Sequence, residues 1–155
     1  MKIRAAAAED AGILALLNPH VHAVHAAHRP DVYRVDPPAD ELTDYFATLL
    51  VKDVTRAFIA EIDRPIGYAV AAIVRREENP FLRAESFILL NQLAVDPQAA
   101  RRGVASQLIE AVRDAGRREG CQRLLTDVLD FNEDAKAFYA AAGFAELKHV
   151  LEQPL

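Results

Sequence analysis

Apolar residues recur along this chain at spacings that switch between the period of a strand and that of a helix, and the order of the switches predicts its elements. KIRAAA, near the start, is short and strand-like. Residues 13–17, an apolar run, follow Asp10, which can cap them as a helix, and Pro19 is placed to kink or break it. If helix resumes beyond Pro19, Val21, Val24, His25 and His28 share a face. RPDVYRVDPP, residues 29–38, is loop by its prolines. Leu42, Tyr45, Phe46, Leu49 and Leu50 then stripe an amphipathic helix.

AFIAEI and IGYAVAAIV, separated by Asp63-Arg64-Pro65, predict a hairpin, and REENPFLRAE after it a polar loop. SFILLNQLAV, residues 86–95, reads as a long strand that is apolar except for Asn91-Gln92. Val104, Leu108, Ala111, Val112 and Ala115 stripe a helix that stops near Gly120. CQRLLTDVL is strand-like, and EDAKAFYAAAG is a helix with acids in its first turn and Gly143 at its end. FAELKHVLEQPL is expected to close the chain as a last strand. Without repeats, low-complexity tracts or linkers, residues 1–155 read as one mixed α/β domain.

Composition narrows the class. With 155 residues, 52% of them hydrophobic and 26% charged, the chain can bury a core without disulfides. A net charge of -5 gives no general attraction to nucleic acid or to an anionic membrane, so neither is an expected partner. The one cysteine, Cys121, has no internal partner and suits a reducing compartment. No secretory start and no membrane-spanning run is visible, which together predict a cytoplasmic protein.

Candidate chemistry centres on VDPQAARRGVASQ, residues 95–107, where a strand gives way to a helix. A helix N-terminus presents unpaired N–H groups and the positive end of the macrodipole, which together attract anions. Gly103 admits close backbone approach, Ala105 and Ser106 are small, and Arg101 and Arg102 add charge-assisted donors suited to phosphate. Alone, the same residues also describe a glycine turn with solvated arginines. Neither of the two common nucleotide-binding glycine patterns is present.

The loop, the LAVDP before it, the strand and asparagine after it, and FYAAAGF form an ordered series. In this the sequence resembles the GNAT superfamily of acetyl-coenzyme A-dependent N-acetyltransferases, most strongly from Ser86 to Phe144. The family's loop pattern, Gln/Arg-x-x-Gly-x-Gly/Ala, falls on residues 100–105, with Ala100 departing at the first position and Arg101 available to compensate. The resemblance implies a twisted, mostly antiparallel mixed sheet of roughly six or seven strands flanked by about four helices. A V-shaped cofactor slot is expected to open between two central strands.

It also implies site residues. Amides of Arg101, Arg102, Gly103, Val104, Ala105 and Ser106 would cradle the coenzyme A diphosphate, while Leu93, Ala94 and Val95 would bond the pantetheine arm as an added strand. Asn91-Gln92 is compatible with the bulge that splays the family's strand; the alternative is that both simply face water at a sheet edge. Asn132 matches the family asparagine that contacts the arm, and is equally a good helix cap. Ala135, Phe138 and Tyr139 would line the far wall.

Tyr139 is the candidate proton donor to the departing sulfur, and an N–H near Leu93 the candidate oxyanion donor. Many relatives carry a glutamate as base where this chain has Asn91. Asp127, acting through water, and His25, at the acceptor mouth, are the remaining candidates. His20, His22, His25 and His28 invite a zinc reading, but without a His-Glu-x-x-His or a CxxC motif no metal is expected. Residues 20–36 and 76–85 would shape the acceptor pocket, and Asp31, Asp36, Glu77 and Glu78 would either make it acidic or simply be solvated. The implied function is acetyl transfer from acetyl-coenzyme A to a primary amine of a small molecule or peptide; the alternative is an acetyl-coenzyme A-binding sensor with little catalysis. A homodimer, with residues 149–155 at its interface, is among the assemblies implied.

Overall fold

A computed structural model describes residues 1–155. The chain runs through β1 (Lys2–Ala5), α1 (Ala11–Leu17), α2 (Pro19–His28), α3 (Ala39–Leu50), β2 (Thr55–Ile62), β3 (Arg64–Arg76), β4 (Glu85–Val95), α4 (Val104–Arg118), β5 (Arg123–Thr126) and α5 (Glu133–Ala141). The five strands lie in one sheet in sequence order. All neighbours are antiparallel except β4 and β5, which are parallel because α4 carries the chain back across the sheet between them.

The fold class expected from the sequence holds, with a smaller sheet: five strands where six or seven were expected. Residues 144–155 form no strand. Their apolar residues Leu147, Val150 and Leu151 recur at three and four rather than alternating, and all three are exposed. The strand expected over residues 121–129 is confined to Arg123–Thr126, because β4 faces it only over Phe87–Leu90. Pro19, expected to kink or break a helix, opens one: at the first helical position its missing N–H costs nothing. Asn18 alone separates α1 from α2 and keeps helical angles.

Asp10 precedes α1 without capping it. Its carboxylate accepts two hydrogen bonds from Arg4, at 2.7 and 2.9 Å, and one from the Ala7 N–H at 2.8 Å. The Arg4 guanidinium thereby holds the Asp10 carboxyl below its ordinary range. A depressed folded-state pKa adds stability above the unfolded value, near 3.9, that is lost as pH falls toward the folded one. Denaturant unfolding from pH 6 to pH 2 should therefore show an acid-sensitive component that Asp10→Asn removes.

The sheet has a core on each face. Alternation along β3 sends Ala69, Ala71 and Ile73 to the α4 side, where they pack with Phe58, Ile88, Leu90, Val104, Leu108 and Val112. Tyr68 and Val70 go to the other side, against Leu14, Leu17 and Phe46 of α1 and α3. Gly67 is required where α4 meets the sheet: a Cβ there would lie 2.8 Å from the Ala94 carbonyl oxygen and 3.2 Å from Val104 Cγ1. Gly67→Ala must displace either β4 or the start of α4, at a cost of about 1–3 kcal/mol. It is expected to lower the thermal midpoint by several degrees and to weaken cofactor binding with it.

Candidate active site

β4 and β5 share a short ladder that pairs Phe87 with Arg123 and ends at Leu90 and Thr126, where the Thr126 hydroxyl donates to the Leu90 carbonyl at 3.1 Å. Beyond this vertex β4 continues through residues 91–95 with no strand on that edge, while its other edge stays paired to β3. Residues 91–95 offer about 16 Å of unpaired strand edge. The parting coincides with a bulge: Val70 faces Gln92 and Ala71 faces Leu90, so Asn91 is the extra residue.

That extra residue reverses the alternation of β4. Ile88 and Leu90 point to the α4 side; beyond Asn91 it is Leu93 and Val95 that pack there, while Ala94 joins the opposite core. Asn91 itself is exposed. Gln92, on the opposite face, is only half-buried, but its side chain enters the molecule rather than facing water at a sheet edge.

The free edge leads through Asp96 to the loop that the sequence marks as an anion site. Asp96 is 7% exposed; its carboxylate accepts from the Gln98 N–H at 2.8 Å and from Arg64 at 2.6 Å, bracing the turn against the β2–β3 hairpin. Sequence reasoning passed over Asp96, although its signal, an Asp-Pro turn, is present. Arg101 (φ 61°) and Gly103 (φ 76°) are both left-handed. For an arginine this conformation is strained by about 1 kcal/mol or more, and such strain concentrates at functional loops.

The first hydrogen bond of α4 runs from the Gln107 N–H to the Gly103 carbonyl at 3.0 Å, and the amides of residues 101–106 have no acceptor within the chain. Nothing lies within 4 Å of the position a Gly103 Cβ would take. Val104 is buried, so only its backbone is available, and Ala105 is half-buried. Arg101, Arg102 and Ser106 are exposed, and neither arginine makes an ion pair. An amide-lined, uncrowded loop at the end of an unpaired strand edge fits a ligand with a phosphate group at one end and a peptide-like arm.

α5 supplies the far wall. Asn132 caps it, its side-chain oxygen accepting from the Ala135 N–H at 3.0 Å. Ala135, Phe138 and Tyr139 are half-buried, and the last two pack on the α4-side core beside Leu93 and Val95. The Tyr139 ring lies 5.3 Å from that of Phe138 and 5.2 Å from that of Phe144. Burial pushes its phenol above the ordinary value, with the Thr126 hydroxyl pulling partly back, so the hydroxyl stays protonated near the vertex.

The other candidates are less closely gathered. Asp127 is exposed, one residue past β5, with no ion pair. His25, on α2, packs its ring 5.2 Å from Tyr33 and 6.4 Å from Phe131, next to Asn132. Burial, then the neighbouring His22, lowers its pKa, keeping the imidazole neutral near pH 7. No hydrogen bond joins His25, Asp127 and Tyr139. The other histidines of α2 have their own contacts: the His22 Nε2 lies 2.7 Å from the Arg34 carbonyl oxygen, and His28 stacks on Phe131 at 3.8 Å. No group of three or more His, Cys, Asp or Glu side chains is disposed to hold a metal ion. No helix is long and apolar enough to cross a membrane.

Around residues 20–36 and 76–85, where the acceptor pocket is expected, the acids are partly answered. Arg29 pairs with Asp31 at 2.8 Å and with Glu152 at 3.1 Å, and Arg34 pairs with Glu41 at 2.6 Å. Asp36, Glu77 and Glu78 make no ion pair. The sequence reading missed a buried hydrogen-bonded group beside the bulge, formed by Asn18, Tyr68 and Gln92.

Comparison with known proteins agrees with this geometry. The family description "Acetyltransferase (GNAT) family" matches residues 21–144. An aminoglycoside N(6')-acetyltransferase type 1 of Salmonella typhimurium is 33% identical over 104 residues, 66% of this chain and 71% of that protein. Among solved structures, a variant of the BH1408 protein from Bacillus halodurans superposes with a TM-score of 0.90 at 25% identity, covering 100% of both chains. The aminoglycoside N-acetyltransferase AAC(6')-Iy in complex with coenzyme A superposes with a TM-score of 0.79 at 26% identity, covering 99% of this chain and 93% of that one. The strands that part are β4 and the edge strand β5 rather than two central ones. With that parting and its amide-lined loop, this chain belongs to the GNAT acetyltransferase family and is an acyltransferase.

Proposed function

We propose that the chain transfers an acetyl group from acetyl-coenzyme A to a primary amine on a small molecule, and that an amino sugar of the aminoglycoside type is the first acceptor to test. The observation that carries the cofactor half is the continuity of the unpaired β4 edge with six amides, residues 101–106, that lack acceptors. These amides take the diphosphate, with Arg101 and Arg102 adding charge, and the backbone of Leu93, Ala94 and Val95 holds the amide-rich arm. The acceptor class rests on kinship with the aminoglycoside N(6')-acetyltransferase.

Bound acetyl-coenzyme A supplies an acetyl group activated as a thioester. The Leu93 N–H donates to the carbonyl oxygen as negative charge develops there, the role of an oxyanion donor. The Tyr139 hydroxyl, kept protonated by its raised pKa, donates to the departing sulfur. An alkyl amine, with a pKa near 10, must lose a proton before it attacks. Neutral His25 on the α2 side and Asp127 through water are the groups offered for that task. Asn91, exposed and uncharged, has no part in it.

The test is release of free coenzyme A thiol from acetyl-coenzyme A in the presence of amine acceptors: aminoglycosides, single amino sugars, polyamines and N-terminal peptides. Acceptor-dependent release that is strongest with aminoglycosides is the expected result. Release with peptides alone would move the acceptor class to polypeptides. No release with any acceptor, together with no acetyl-coenzyme A binding, would refute the transferase reading.

A further inference from the structure

The face of the sheet that carries α1, α2 and α3 has buried polar groups at two places: Asp10, paired with Arg4 at the start of α1, and a cluster at the centre of β3. Tyr68, on β3, is fully buried, and its hydroxyl donates to Gln92 Oε1 at 2.7 Å. Asn18, 6% exposed, donates from Nδ2 to the Tyr68 oxygen at 3.0 Å and reaches Gln92 Oε1 at 3.4 Å. Three elements meet here: the junction of α1 and α2, the centre of β3, and β4 at the residue after its bulge. Asn18 also holds α2 itself, since its carbonyl accepts from the Val21 and His22 N–H groups at 3.0 Å each.

Stability does not account for the cluster. Buried polar groups contribute little net energy when paired, and apolar side chains of similar volume serve as well or better. The side-chain oxygen of Asn18 is also buried, with no hydrogen-bond partner within the chain. An unsatisfied buried acceptor costs about 1–3 kcal/mol. A polar cluster of this kind at the centre of a mostly apolar layer points to a requirement for position rather than for cohesion.

Asn91 supplies that requirement. An inserted residue can migrate along a strand unless something fixes it, because a shift of one position exchanges the faces of the residues between. Gln92 is the first residue whose face depends on the bulge, and it is the residue held by Tyr68 and Asn18. Leu93 follows directly. Its N–H is therefore placed by the side-chain bond of the residue before it.

We propose that Asn18, Tyr68 and Gln92 are positioning residues: together they lock the bulge of β4 in register with helix α2, and so place the Leu93 amide against the thioester carbonyl. This inference rests on the transferase reading given above. None of the three touches the reacting atoms. Losing the lock leaves the amides of residues 101–106 in place, so cofactor affinity is retained while the reacting geometry is blurred. A misplacement of about 1 Å at a reacting centre can cost about 100-fold in rate.

The experiment is a double-mutant cycle with Tyr68→Phe and Gln92→Leu. Tyr68→Phe deletes one oxygen and keeps the ring that packs on Phe46 at 5.8 Å. Acetyl-coenzyme A affinity is measured by calorimetry, kcat and KM by thiol release, and folding by thermal unfolding. Each single variant is expected to lose at least about tenfold in kcat, with the cofactor Kd within about twofold of wild type, and the double variant to lose no more than either single one. Retention of kcat in Tyr68→Phe, losses that add in the double variant, or a variant that does not fold would each overturn the proposal. Wild-type protein that neither binds nor turns over acetyl-coenzyme A would instead remove the transferase reading on which it stands.

Discussion

Gly103→Asp is expected to weaken acetyl-coenzyme A binding by at least about 100-fold. The position is open, with no atom within 4 Å of the new Cβ, so the fold itself should tolerate the change. Aspartate is also among the residues that accept the left-handed backbone found there, at φ 76°. The damage is electrostatic. A carboxylate about 4 Å from a phosphate, at an effective dielectric near 20, is repelled by about 4 kcal/mol per unit charge. The same carboxylate competes for the free amides of residues 101–106. At about 1.4 kcal/mol per factor of ten, Kd should rise by at least about 100-fold. Calorimetry of wild type and variant side by side, with thermal unfolding to show that both are folded, gives the answer. An unchanged Kd would mean that the loop does not carry the phosphates.

Tyr139→Phe is the complementary case: binding should survive and chemistry should fail. The ring packs between Phe138 and Phe144, and phenylalanine preserves that packing. Only the hydroxyl is lost, and with it the donor to the leaving sulfur. A positioned proton donor contributes about 100- to 10,000-fold, so kcat should fall into that range with the cofactor Kd within about twofold. The wild-type rate should also hold on the alkaline side beyond the ordinary tyrosine range, since burial raises the pKa of this phenol. An alkaline fall in kcat that persists unchanged in Tyr139→Phe would assign the proton donor elsewhere. A chain that only sensed acetyl-coenzyme A would lose nothing by this substitution.

Much of this was legible in the residues. The stripe Val104, Leu108, Val112 and Ala115 announced α4, and it is these side chains that enter the core. Arg-Arg-Gly ahead of that stripe marked the loop through close backbone approach at Gly103 and the charge of Arg101 and Arg102, and the structure adds that Gly103 is left-handed. Asn132 could be read as cofactor contact or as cap, and its capping hydrogen bond is present.

What escaped was what depends on pairing across the sheet. Asn91-Gln92 in an apolar run suggests a bulge but also fits two residues facing water. Only the register against β3 shows that Asn91 is the inserted residue and that Gln92 turns inward. Tyr68 looked like one more apolar position in IGYAVAAIV, because its partners lie 24 and 50 residues away in sequence. β5 was read too long for the same reason: its apolar residues continue past Thr126, but β4 has already turned away. The final twelve residues were misread because apolar content outweighed spacing.

The two cores have a consequence for how such an enzyme can change. Each draws on alternate side chains of the same strands, so no residue belongs to both. On the proposed function, one layer holds the helix and loop of the constant co-substrate, and the other carries the helices beside which the variable acceptor would arrive. Substitutions in α1, α2 and the loop that follows can accumulate without repacking α4, whose contacts are all on the far side. New acceptors are thus open to gradual evolutionary exploration, provided the few atoms that tie the layers at Gln92 are left alone.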